Sequence, residues 1–311
     1  MDKEKRQKFN VCILLCSMVL FSFTYLIVRK EMLMGYSDIK WHVEKAATLP
    51  FFDELLKLVS YPLFHFLVKG ILKVTSWNPV FVASALLGFI NVAAYLLTYY
   101  FMTESKTKKY SKNIYAVMTM VFLLLQSIYV PVFNPNVYLG QGSVNIWHNP
   151  TYIMVRPFGI AAFLLVIKML RIPEGEQVAF RKLWWMLLVV MIGCNLAKPS
   201  FSQVFIPGLG MYMVFDIVHT KGKSFFRHFQ IACAFIPATI LLFIQAYYSL
   251  GDEIGFEWMT VWRSYTANPW ISTLLFMAFP LCVILQDVRG FFQKIENKVA
   301  VFVYLLGFAE A

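Results

Sequence analysis

The feature that most constrains this chain is a series of apolar runs that are long enough to cross a lipid bilayer. A spanning helix needs roughly 20 mostly apolar residues, because backbone groups without hydrogen bonds are costly in lipid. The candidate spans are 11–28, 80–102, 114–133, 152–170, 183–197, 201–218, 229–249, 271–286 and 299–311. Lys198 and Pro199 separate the fifth run from the sixth. The pattern predicts an all-α, polytopic membrane protein with eight or nine transmembrane helices, forming a single domain over residues 1–311.

Composition excludes the other common classes of protein. Hydrophobic residues make up 59% of the chain and charged residues 14%, against about 25% charged in a typical soluble domain. The net charge of +11 is spread between the apolar runs instead of being gathered on one polar domain, so nucleic acid is not an expected partner. The five cysteines lie in apolar runs without CxxC spacing, which argues against a disulfide framework or a zinc knuckle.

The basic residues also predict the orientation. If the N-terminus is cytoplasmic, 18 of the 28 basic residues fall in short inner segments, as the positive-inside rule requires. The first run lacks a small-residue cleavage site, which predicts an uncleaved anchor. The last run stops in mid-helix at Ala311, so we expect a truncated chain or one part of a longer protein. The absence of an N-x-[ST] sequon is consistent with a bacterial plasma membrane.

Residues 29–79 form an unusually long first extracytoplasmic segment. In its second part, 51–73, apolar residues recur at helical spacing with charged residues between them, and Pro62 interrupts the pattern. This pattern predicts two short helices that lie in the outer membrane interface. Simple interfacial packing is the alternative reading of that part.

Asp38 lies just past the first span and is the candidate catalytic residue. If residues 37–45 form a helix, Ser37 is placed to cap it, and Asp38, His42 and Lys45 share a face. A carboxylate there can act as a general base or hold a divalent cation, with the imidazole as partner. The alternative is a solvated loop carboxylate.

The segment 133–151 carries no charge and is rich in amide and aromatic side chains. Amides hydrogen-bond hydroxyl groups, and aromatic rings can stack on the apolar face of a sugar. Trp147, His148 and Asn149 are therefore candidate residues for binding a sugar or an acceptor. The alternative is an aromatic belt with turn residues at the interface.

Two cations lie near the outer ends of predicted spans. Arg156 is about one turn inside the fourth span, and Lys198 lies at the hairpin between the fifth and sixth. Cations at membrane depth usually face a cavity or meet an anion, and no carboxylate lies close by in sequence in these spans. A lipid-linked phosphate in the outer leaflet would supply that anion. Snorkelling towards the headgroups is the alternative.

Together these residues resemble the GT-C superfamily of integral-membrane glycosyltransferases. The resemblance covers most of the chain as architecture and rests on four short motifs. They are Gly35-Tyr36-Ser37-Asp38 after the first span, Tyr61-Pro62-Leu63-Phe64-His65, Asn145-Ile146-Trp147-His148-Asn149-Pro150-Thr151, and Asn195-Leu196-Ala197-Lys198-Pro199-Ser200. Many members carry a paired acidic motif in the first loop, whereas this chain has Asp38 with Glu44 six residues later.

The resemblance implies that a polyprenyl-phosphate-linked sugar is the donor and that a glycan or lipid is the acceptor at the extracytoplasmic face. It implies that Asp38 activates the acceptor hydroxyl or binds a divalent metal, and that Arg156 and Lys198 bind the donor phosphate. The residues expected to contact sugar or acceptor are His42, Trp147, His148 and Asn149.

Two other functions remain open from the sequence. One is a transporter or flippase of lipid-linked saccharides, and the other is an inactive fragment or membrane scaffold. A transporter needs polar residues through the bilayer midplane, whereas the mid-span regions here are almost free of charge. Polar groups instead cluster near the predicted outer surface, which favours the enzyme.

Overall fold

The structure is a computed structural model that describes residues 10–35, 37–49, 60–104, 110–124, 130, 132, 147, 149–250, 263 and 266–309. Within these residues the regular structure is helical, with no strand. The helices are α1 Val11–Met34, α2 Asp38–Thr48, α3 Leu63–Val74, α4 Pro79–Glu104, α5 Lys112–Leu124, α6 Pro150–Leu170, α7 Lys182–Ala197, α8 Ser200–His219, α9 Phe225–Cys233, α10 Ile236–Leu250, α11 Pro269–Gln286, α12 Val288–Gln293 and α13 Ile295–Ala309.

Four of these helices, α1, α4, α6 and α8, are long and apolar enough to cross a membrane. Two bent pairs extend the number to six: α9 with the first part of α10, bent by 50°, and the two halves of α11, bent by 53°. The helices α5 and α7 are apolar but shorter. The described residues therefore contain four to six candidate membrane spans, and the count of eight or nine stays a prediction.

Capping and helix-breaking residues set the helix boundaries around the candidate site. Helix α1 ends at Gly35, whose φ of 70° lies in the left-handed region that glycine adopts easily. Helix α6 begins at Asn149-Pro150, where the Asn149 side chain accepts a hydrogen bond from the Thr151 N–H. The chain breaks at Lys198-Pro199, as predicted, because the proline ring has no N–H to continue α7.

Helix α6 lies at the centre of the bundle, with α4 and α7 packed against it. Two thirds of its most apolar stretch is buried within the protein, against about one fifth for α1. At Gly193 a β-carbon would lie 2.6 Å from the ring of Phe158, so the missing side chain lets α7 approach α6 closely. The remaining principal packings are α1 on α4 and α8 on α13.

Polar contacts separate the bundle into two ends. At the ion-pair end, Lys168 meets Glu104 at 3.0 Å and Arg171 meets Glu296 at 2.9 Å. The site end carries α2, α3, the start of α6 and the break between α7 and α8. Here α3 forms the second of the two short helices predicted for 51–73, and it buries Phe64. Residues 51–59, where the first was predicted, lie outside the described part of the chain.

Candidate functional site

Asn149 is the centre of a polar cluster at the site end. Its Oδ1 accepts hydrogen bonds from the Thr151 backbone N–H at 2.9 Å and from Thr151 Oγ1 at 2.6 Å. A backbone N–H only donates, so this contact fixes which end of the amide is oxygen. The Nδ2 group then donates to Asp38 Oδ2 and to His42 Nε2, both at 3.2 Å. The start of α6 is thereby tied to α2.

Two histidines continue the cluster into the protein interior. His42 Nδ1 lies 3.0 Å from Nε2 of His65, which belongs to α3. His42 is 3% exposed and His65 is completely buried. Burial lowers the pKa of His65 to about 4, because the charged imidazolium loses its hydration. His65 is therefore neutral at physiological pH, and one hydrogen bond joins the two rings.

Lys198 closes the cluster from the α7–α8 break. Its Nζ donates to Thr151 Oγ1 at 3.3 Å and lies 4.0 Å from the centroid of the Tyr152 ring. A second ring, that of Tyr61, is 5.2 Å away. The ammonium is thus held between two aromatic faces, which attract cations. The hydrogen bond to Thr151 joins this cation to Asn149 and, through Asn149, to Asp38.

Asp38 is exposed at the first residue of α2, whereas its neighbours in the cluster are buried or partly buried. Burial lowers the pKa of Lys198 to about 8, and the negative charge of Asp38 partly offsets this shift. The same carboxylate adds to the effect of burial in raising the pKa of Tyr61. Asp38 and Lys198 therefore interact electrostatically across one small polar site.

The prediction that Ser37 caps α2 is wrong in its side-chain detail. Ser37 occupies the N-cap position, but its hydroxyl makes no capping hydrogen bond. The predicted shared face holds for Asp38 and His42, which both contact Asn149. Lys45, seven residues after Asp38 in the same helix, lies over the ring of Trp41, with its Nζ 5.7 Å from the ring centroid.

Arg156 belongs to a different group of residues. Its Nη1 donates to Asn91 Oδ1 at 3.1 Å, and both of its Nη atoms lie 3.5 Å from the carbonyl oxygen of Leu123. Asn91 in turn donates to Thr24 Oγ1 at 2.9 Å. The structure therefore places this cation among α1, α4, α5 and α6, and not in contact with Lys198.

The structure places the residues predicted to bind sugar in different surroundings. Trp147 is 5% exposed and packs edge-on against Phe23 of α1, with ring centroids 5.6 Å apart. His148 lies outside the described residues, so its proposed contact with sugar stays a prediction. Asn149 and His42 both lie in the cluster around Asp38. The described part of this segment is therefore packed into the bundle at Trp147 and joined to Asp38 at Asn149.

The cluster does not form a multidentate metal site within the part of the chain that the structure describes. No group of three or more histidine, cysteine, aspartate or glutamate side chains is arranged there to hold a metal ion. Both ring nitrogens of His42 already make hydrogen bonds, to Asn149 and to His65. A divalent cation would therefore meet Asp38 without an imidazole ligand from His42, and we derive no step through a metal.

Sequence reasoning assigned no role to three members of the cluster. Thr151 joins Lys198 to Asn149, Tyr61 faces the ammonium, and His65 ends the chain of hydrogen bonds. His65 could have been found from its pattern, because it lies on the same helical face as Phe64 and Val68, which are buried. A polar residue on a buried face needs a hydrogen-bond partner.

Comparisons of the chain with models of known protein families, with curated proteins and with solved structures find no match.

Proposed function

We propose that this protein is a glycosyltransferase that moves a sugar from a polyprenyl-phosphate-linked donor to a glycan or lipid acceptor. The single observation that carries the proposal is the joining of Asp38 to Lys198 through Asn149 and Thr151. An exposed carboxylate and a partly buried ammonium in one site are the two charges that such a transfer requires. A base must accept the acceptor proton, and a cation must stabilise the leaving phosphate.

In the proposed reaction the acceptor hydroxyl oxygen attacks the anomeric carbon of the donor sugar. A new carbon–oxygen bond forms, and the bond between the anomeric carbon and the phosphate oxygen breaks. The hydroxyl proton passes to Asp38, and the electron pair of the broken bond leaves with the polyprenyl phosphate. Lys198 stabilises the charge on that phosphate, while the Asn149 amide holds Asp38 in position.

Lys198 is the better supported of the two proposed phosphate ligands. Its contacts are an alcohol and two aromatic rings, so an incoming phosphate would be its strongest partner among the contacts described. Arg156 would have to leave Asn91 and Leu123 to reach the same phosphate. We propose Arg156 as a second contact for the donor. It lies one helical turn further into α6 than Tyr152.

We also propose the membrane arrangement on which this function depends. The chain would cross a bacterial plasma membrane eight or nine times, with its N-terminus in the cytoplasm and its site end outside. The ion-pair end contains the basic residues Lys168 and Arg171, which supports a cytoplasmic location for that end.

Replacing Asp38 tests the proposed function. Purified protein in lipid vesicles would be supplied with radiolabelled polyprenyl-phosphate hexoses and pentoses and with a membrane glycolipid extract as acceptor. We expect Asp38→Asn to reduce transfer about 10²–10⁴-fold, because the amide cannot accept the proton. Glu44→Gln, which neutralises an exposed acid on the same helix, should retain activity. Unchanged transfer by Asp38→Asn would remove Asp38 from the mechanism.

A transporter or flippase of lipid-linked saccharides is the second candidate function. The observation that favours it is the group formed by Thr24, Asn91 and Arg156, because the first two lie near the middle of α1 and α4 and are completely buried. Polar groups inside a bundle often mark a transport pathway. Movement of a fluorescent polyprenyl-linked sugar between leaflets without transfer, abolished by Arg156→Gln, would favour this function over the enzyme.

A further inference from the structure

The hydrogen bonds around Asn149 determine the proton positions on both buried histidines. Because Asn149 Nδ2 is a donor, His42 Nε2 must carry no proton in order to accept from it. The proton of neutral His42 is then on Nδ1, from which it is donated to His65 Nε2. His65 Nε2 is therefore unprotonated as well, and its own proton is on Nδ1.

At the far end of this chain of hydrogen bonds, one ring nitrogen of His65 has no partner. His65 Nδ1 is buried and has no hydrogen-bond partner among the residues described. A buried polar atom without a hydrogen bond is destabilising, so the position of His65 needs an explanation beyond packing. Its other nitrogen supplies that explanation, because Nε2 is the acceptor that His42 requires.

We propose that His65 is a positioning residue for Asp38, acting through the tautomer of His42 and the amide of Asn149. The proposal rests on the proposed function in one respect: Asp38 is taken as the carboxylate that accepts the proton. Because His65 Nε2 accepts the proton on His42 Nδ1, His42 Nε2 stays unprotonated and can accept a hydrogen bond from Asn149. The Asn149 NH₂ group then donates to both His42 and Asp38. Without that acceptor, a proton on His42 Nε2 would face the Asn149 NH₂ group and displace it.

Charge and burial agree with this role. His65 is completely buried, and the rings within 7 Å of His42 include Tyr61 and Phe64 in addition to His65. Burial disfavours an imidazolium at His65. A doubly protonated His42 would place an N–H against the donating Nδ2 of Asn149, so the geometry also favours a neutral ring there. The arrangement therefore holds a fixed dipole behind Asp38 without adding an imidazolium charge.

Nitrogen NMR on protein labelled with ¹⁵N-histidine tests the proposal without any substrate. The chain has five histidines, so the ring-nitrogen signals of His42 and His65 can be assigned from the pair of signals that is lost in His42→Gln and in His65→Gln. We expect both rings to be neutral with the proton on Nδ1 at pH 7. In His65→Leu, His42 should shift towards the tautomer protonated on Nε2. A wild-type His42 protonated on Nε2, or an unchanged His42 in His65→Leu, would overturn the proposal.

Transfer kinetics give a second, independent readout. His65→Leu should lower kcat about 10–100-fold with little change in KM for the donor, because Asp38 is misplaced and the phosphate contact remains. His65→Gln should recover most of kcat, since its side-chain oxygen can accept from His42. His228→Leu is the matched control, because it removes a buried histidine that bonds Asp216 elsewhere in the fold.

Equal loss of kcat in His65→Leu, His65→Gln and His228→Leu would mean that His65 is merely structural, and this result would overturn the proposal. If no donor is turned over by the wild-type protein, the proposed function fails, and the NMR measurement still decides whether His65 sets the tautomer of His42.

Discussion

Lys198 shows how burial and charge are balanced at the scale of single residues. The ammonium is removed from water by Tyr61, Tyr152 and Thr151, and this burial lowers its pKa to about 8. The nearby Asp38 restores part of the lost stabilisation without neutralising the cation through a close ion pair. A buried ammonium of this kind gains most when a phosphate arrives.

If Lys198 is the proposed phosphate ligand, its lowered pKa should make the binding of lipid phosphate sensitive to alkaline pH. Only the protonated ammonium would bind, so affinity for polyprenyl phosphate should be maximal below pH 8 and fall as the pH rises above it. One linked proton corresponds to about a tenfold change in affinity per pH unit above that pKa. Intrinsic tryptophan fluorescence in detergent, measured between pH 7 and 9.5, would follow the binding.

Lys198→Arg provides the matched control for this pH dependence. Arginine keeps its charge throughout this range, so its binding curve should be flat. A flat curve for the wild-type protein as well would contradict the assignment of Lys198 as the titrating phosphate ligand.

The residues of the cluster divide into those that local sequence could reveal and those that it could not. Asp38, Asn149 and Lys198 each stand at a helix boundary, where capping and proline signals are readable. The bonds that join them depend on how α2, α6 and the α7–α8 break pack together. For the same reason the sequence could not show that Arg156 bonds Asn91, since these residues are 65 positions apart in the chain.

At the scale of elements, helix positions were more predictable than helix lengths. Apolar content located α1, α4, α6 and α8 because each run is long and uninterrupted. The helix of the first predicted span, 11–28, extends to Met34, and the run 229–249 bends by 50° near Ala234. Hydropathy predicts that this segment is apolar, whereas the bend lies beside Pro237, whose ring has no N–H to continue the helix.

The packing of α8 on α13 yields a prediction at this scale. A β-carbon at Gly208 would lie 2.6 Å from Cα of Val303, which is backbone and cannot rotate away. Gly208→Ala should therefore destabilise the protein by about 1–3 kcal/mol and lower the temperature of thermal unfolding in detergent.

Gly210 offers the control on the same helix, because no atom lies within 4 Å of a β-carbon placed there. Gly210→Ala should leave the unfolding temperature unchanged or raise it slightly, since alanine favours a helix over glycine. Equal destabilisation by the two variants would refute a close approach of α13 to α8.

For the whole molecule, the arrangement of charge predicts which end faces the cytoplasm. Ala47→Cys places a thiol on the exposed side of α2, and Gln177→Cys places one in the exposed loop between α6 and α7. A membrane-impermeant maleimide added to intact cells should label Ala47→Cys. The same reagent should label Gln177→Cys only after the cells are permeabilised. The parent protein gives the background from its five cysteines. The reverse labelling pattern would place the site end in the cytoplasm and exclude an extracytoplasmic reaction.

The site end shows how a mostly apolar bundle accommodates a cluster of polar groups. Gln245 of α10 donates to the carbonyl oxygens of Ser60 and Asn195, at 2.6 and 2.9 Å, and so ties the chain beside Tyr61 to the end of α7. The polar groups there are satisfied largely by each other and by helix ends. Asp38 and Lys198 are the two charges there that the proposed donor and acceptor would meet.

The most direct measurement is an electron cryomicroscopy structure of the protein bound to a polyprenyl-phosphate hexose in a lipid nanodisc. We predict that the phosphate lies within hydrogen-bond distance of Lys198 Nζ. The anomeric carbon should lie between that phosphate and the carboxylate of Asp38, with Asn149 still donating to Asp38. A phosphate bound at the ion-pair end, or a sugar held away from Asp38, would contradict the proposed glycosyltransferase site.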